Sequence, residues 1–79
     1  MNPVQTAWTL QAPTPLHRLV LLAVATHVDD AGNPTLGDED LIALIGHEHA
    51  GGVHEAVMFH AAHGQLERRA DGHLALVAE

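Results

Sequence analysis

A chain of 79 residues can bury only one modest core, so residues 1–79 read as a single domain with no separate catalytic unit. Its composition, 47% hydrophobic and 16% charged, lies far from that of disordered chains, and with one Phe, one Trp and no Tyr the core has to be built from Leu, Val, Ile and Ala. The lack of Cys excludes disulfides, thiolate metal sites and a cysteine nucleophile, and a net charge of −7, with ten acids against three arginines, disfavours a polyanionic partner.

Residues 1–13 read as an N-terminal arm in which Trp8 and Leu10 pack back on the rest of the chain as an anchor. Residues 14–64 read as three helices. Thr14 can cap free amides and Pro15 suits the first helical position, and Leu16, Leu19, Val20, Ala23, Val24 and His27 recur at helical spacing. That predicts a first helix over 15–28, buried on this stripe. The turn formers Asp29 to Pro34 end it and leave Thr35 and Leu36 as a short strand. Asp38, Glu39 and Asp40 complement the positive end of a second helix, whose buried face is Leu41, Ile42, Leu44 and Ile45 and whose terminator is Gly46. A turn from His47 to Gly52 leads to a third helix, with Val53, Ala56, Val57, His60 and Ala61 on its buried face and Gly64 at its end. Residues 65–79 alternate apolar and polar positions around Asp71-Gly72, a hairpin pattern. The fold class expected is α+β, mostly α. Leu19–Ala25 is too short to span a bilayer and no basic stretch precedes it, so a cytoplasmic protein without membrane contact is the expectation.

Three helices with a tight turn between the second and third, followed by a hairpin, follow the order of a winged helix-turn-helix domain. The stretch Leu19 to Gly32 resembles the first helix and loop of such domains in phage and bacterial replication-initiator and transcription-regulator proteins. Leu41-Ile42-Ala43-Leu44-Ile45-Gly46 resembles their second helix, and Gly64-Gln65-Leu66-Glu67-Arg68-Arg69 their junction into the wing. The resemblance covers residues 8–77. It implies a two-stranded wing and DNA contacts from the third helix and wing, here His47, His49, His54, Arg68 and Arg69.

The recognition segment departs from that family, whose turn and third helix are usually rich in Ser, Thr, Arg and Lys. Residues 47–60 contain no Lys or Arg, and Glu48 and Glu55 would repel a phosphate backbone. Met58 and Phe59 stand where polar reading side chains normally sit, and Gly51 and Gly52 would loosen the start of the helix. Two wing arginines alone give only weak, salt-sensitive DNA affinity. The reading that follows is a small acidic protein-interaction module of phage-like type, an inhibitor or adaptor. Met58 and Phe59 are its anchors, and Asp29, Asp30, Asp38, Glu39, Asp40, Glu48 and Glu55 present negative charge to a basic nucleic-acid-binding protein. A homodimer burying the same patch is a variant. A DNA-binding transcription or replication regulator is the alternative.

Eight His is the oddest feature of the composition. On the apolar faces, His27 and His60 read as hydrogen-bonded core side chains, and the rest as solvated ones. His60 and His63, three apart, with His47 and His49 from the turn, are the nearest approach to a metal set, but no consensus spacing accompanies them and no metal or other cofactor is assigned. Protonating most of the His would cancel nearly all of the −7 charge. No catalytic residues are assigned and no enzyme is expected. The chain has neither Ser nor Cys and no phosphate-cradling loop, and the neighbours His54-Glu55 and Glu48-His49 do not face each other on a helix.

Overall fold

A helix occupies the N-terminal stretch expected only as an arm. In the structure, a computed structural model that describes residues 3–77, α1 spans Pro3–Thr9 and packs on α2, Pro15–Thr26. Residues 1–2 and 78–79, the ends of the expected arm and wing, lie outside the described residues. Ala7 is the fully buried contact of α1, Val4 and Leu10 pack partly buried against the core, and Trp8 is 60% exposed. Leu10 therefore anchors the segment and Trp8 does not.

Thr14 starts α2 as the sequence implied: its hydroxyl accepts the His17 amide at 3.3 Å and Pro15 follows at the first helical position. The helix ends at Thr26, before the expected 28, because the backbone leaves the helical region at His27 (φ −99°, ψ 72°) and Val28 pairs with Pro34 across the loop. Its buried residues are Val20, Leu21, Ala23, Val24 and Ala25. The expected stripe thus fails at Leu19 and His27, which are exposed, and omits Leu21 and Ala25. The reason is that α1, α4 and the hairpin all pack on α2, so it is covered around more of its circumference than one amphipathic face.

α3, Asp38–Ile45, opens with the Gly37 amide donating to Asp40 Oδ2 at 3.0 Å. Only Leu41 is fully buried, Ile42 and Ile45 pack partly against the core, and Leu44, expected inside, is 51% exposed. Gly46 terminates the helix at φ +131°, a conformation that disfavours a side chain. The following turn is shorter than the expected 47–52. A 3₁₀ turn, His47–His49, leads straight into α4, Ala50–Ala62. Gly51 and Gly52 lie in the first turn of α4. A Cβ on Gly52 would come within 2.6 Å of Leu16 Cδ2, so this glycine permits the close crossing of α4 on α2. Val53, Ala56, Val57 and His60 form the buried face of α4 and Ala61 is exposed.

β1, Leu66–Arg68, and β2, Leu74–Leu76, pair antiparallel with Leu66 opposite Leu76. Leu66, Leu74 and Leu36 close the core from this side. Thr35 and Leu36 form no regular strand, but the Leu74 amide donates to the Leu36 carbonyl at 2.8 Å and Gly37 pairs with His73, so this segment lies along the free edge of β2. The architecture is α+β, mostly helical, with four α-helices and one two-stranded hairpin among the described residues. None of the described helices is long and apolar enough to cross a membrane.

Candidate functional site

The outward face of α4 is set by its buried face. With Val53, Ala56, Val57 and His60 turned inward, His54, Glu55 and Met58 turn out, and Met58 is 59% exposed. Phe59, expected beside Met58 as an anchor, is half-buried and engaged within the chain. Its ring stacks on His63 with centroids 4.1 Å apart and meets His17 and His60 edge-on at 5.1 and 5.3 Å. Glu48, His47 and His49 stand exposed on the 3₁₀ turn that leads into this face, where His49 Nε2 lies 3.8 Å from Glu48 Oε1, so these neighbours, expected not to face each other on a helix, do so on the tighter turn.

All three arginines have partners inside the chain. The Arg18 guanidinium donates to the carbonyls of Ala7 and Leu10, closing the end of α1, and lies over the Trp8 ring. Arg68 makes a two-point contact with Asp38, Nη2 to Oδ2 at 2.6 Å and Nε to Oδ1 at 3.4 Å, fastening β1 to the first turn of α3. Arg69 faces Glu67 at 3.8 Å. Of the acids predicted to meet a partner, Asp38 and Asp40 are thus tied into the fold, whereas Glu39, Glu48 and Glu55 are exposed. Asp38, Glu39, Asp40, Arg68, Asp71 and His73 line a shallow polar hollow of about 420 Å³ between α3 and the hairpin loop.

A second, apolar groove of about 400 Å³ lies between the C-terminal halves of α2 and α3, with Leu19, Leu22 and Ala23 on one wall and Leu44 and Ile45 on the other. Helical spacing puts Leu19 and Leu44 on buried faces, so the groove is not visible in the sequence. Exposed Leu at positions 19 and 44 became recognisable only once the helices were placed.

His60 is the one buried polar residue among those described. Its Nε2 lies 3.1 Å from the His17 carbonyl, which can only accept, so this nitrogen carries the proton. In the neutral ring Nδ1 must then accept. Gln65 satisfies it at 2.6 Å when its amide nitrogen faces the ring, and in that orientation Gln65 also bonds both the N–H and the carbonyl of Gln11. Burial pushes the His60 pKa below its usual value, and the proximity of His17 and His63 acts in the same direction. The two metal candidates are accounted for otherwise: both His60 nitrogens are hydrogen-bonded, and His63 Nδ1 donates to the Phe59 carbonyl at 2.8 Å. Among the described residues no three His, Asp or Glu side chains converge on a common point.

The chain matches no protein-family model, no curated protein and no solved structure. What its architecture and surface define is a small helical α+β chain with a hairpin, an acidic exterior and an uncharged groove.

Proposed function

We propose that this chain is an acidic winged-helix protein-interaction module, an inhibitor or adaptor that engages a basic, nucleic-acid-binding protein. Support for the winged-helix part is the order of α2, edge segment, α3, α4 and hairpin, with residues 35–37 laid along β2 as the third member of the wing sheet. The observation that carries the functional part is the use of the cations. The exposed face of α4 has none, and each arginine is already paired with a carbonyl or carboxylate of the same chain. Phosphates of duplex DNA would compete with these intrachain partners while Glu48 and Glu55 oppose their approach. Met58 stays the apolar anchor of the α4 face.

The test is fluorescence anisotropy of a labelled random duplex titrated with the chain at about 50 mM salt, where phosphate contacts are strongest. No saturable binding is expected. Micromolar affinity that falls steeply with added salt would instead establish the alternative, a DNA-binding regulator contacting DNA through His47, His49, His54, Arg68 and Arg69.

A further inference from the structure

The groove between α2 and α3 has a definite chemical character. Its walls are aliphatic, and two of its large side chains, Leu19 and Leu44, are 46% and 51% exposed in the free chain. Exposing them leaves apolar surface in water, so covering them is favourable. The polar groups in the groove are largely closed on themselves. Thr26 Oγ1 donates back to the Leu22 carbonyl at 2.9 Å, and His27 Nδ1 donates to the Ala23 carbonyl at 2.9 Å, which leaves Nε2 as an acceptor.

The carboxylates that follow the two helix ends in sequence share one sign, and His27 is the titratable side chain in the groove itself. Both helices end here, so the negative ends of their dipoles lie together. The exposed Asp29 and Asp30 follow directly on His27, and the exposed Glu48 stands two residues beyond Gly46. Asp29 stays ionised to low pH because its carboxylate accepts the amides of Asn33 and Ala31 at 2.8 and 2.9 Å. No Lys or Arg occurs between Arg18 and Arg68 to offset these acids. A second copy of the chain would set these like charges against each other across any symmetric contact, which disfavours self-association here.

We infer that this groove seats a basic amphipathic helix of the partner protein, with aliphatic side chains one turn apart entering between Leu19 and Leu44 and flanking Lys or Arg side chains meeting Asp29, Asp30 and Glu48. This deepens the interaction-module reading and rests on it.

The test titrates the isotope-labelled full chain with a synthetic helical peptide carrying Leu at i, i+3, i+4 and i+7 and Lys elsewhere, followed by backbone chemical shifts. A sister peptide with Glu in place of Lys is the control. Shifts are expected at Leu19, Leu22, Thr26 and Leu44 with the Lys peptide and none with the Glu peptide. Leu44→Glu should weaken binding by about tenfold or more even though it adds a favourable charge, a loss that only an apolar contact explains. Because Leu44 is half-exposed the variant should fold, and Leu44→Met should keep the affinity.

Unchanged or tighter binding by Leu44→Glu would overturn the inference, since attraction would then be charge alone. Shifts centred on His54, Glu55 and Met58 would overturn it while sparing the interaction module. A dimer that Leu44→Glu dissociates would give the groove to a second copy. Salt-sensitive duplex binding by the parent would overturn the underlying reading instead.

Discussion

His60 makes the stability of this small fold depend on pH in a way that can be worked out from its partners. The ring is fully buried, donates to the His17 carbonyl and accepts from Gln65, a set of bonds available only to the neutral form. Its pKa is lowered in the folded chain from about 6.5, so the unfolded chain binds the proton more readily. Stability from this group is complete above pH 6.5 and is lost as pH falls from there through the lower folded pKa. One proton taken up on unfolding sets a limiting slope of about 1.4 kcal/mol per pH unit. That is a large fraction of the roughly 5 kcal/mol that so small a domain is apt to have. Urea unfolding followed by circular dichroism across this range should show the decline. In His60→Leu the slope attributable to this group should vanish, even though unpairing Gln65 and the His17 carbonyl lowers stability at neutral pH by about 1–3 kcal/mol. The same acid slope in parent and variant would refute the reasoning.

Two further substitutions probe how the helices are held. Gly52→Ala should gain less stability in thermal or urea unfolding than Gly51→Ala: both add up to about 1 kcal/mol of helix propensity, but the Cβ at 52 must displace the end of the Leu16 side chain whereas the one at 51 meets open space. Arg18→Met should release the Ala7 and Leu10 carbonyls and loosen α1. Trp8, the only Trp, then becomes more accessible to acrylamide quenching while the helical signal of α2 to α4 persists.

What the sequence made legible was local. The Thr14-Pro15 start of α2, the acidic opening of α3, the stop at Gly46 and the hairpin around Asp71-Gly72 are each encoded within a few residues, and all appear in the structure. The burial of Val53, Ala56, Val57 and His60 was also readable from spacing. What depended on the relative placement of helices was not. α1 is short and polar enough to pass as an arm, and only its packing on α2 gives Ala7 a buried role. The same packing draws Leu21 inward and leaves Leu19 out, so the groove could not be foreseen from a helical stripe. Gly52 read as a loosening residue because nothing local reveals Leu16 above it. For the site, the lack of cations on the third predicted helix was plain in the sequence, but the pairing of every arginine within the chain was not. Arg68 and Asp38 are thirty residues apart, and only the fold brings them together.

In the proposed function, acids and engaged arginines, rather than the scaffold, withhold DNA binding. The direct test compares the parent with Glu48→Lys/Glu55→Lys in duplex titrations at about 50 and 200 mM salt. No saturable binding is expected of the parent and a salt-dependent gain of the double variant, because the added lysines stand on the exposed entry and face of α4. Parent affinity equal to that of the variant would contradict it, since the carboxylates would then not be what keeps this surface from DNA.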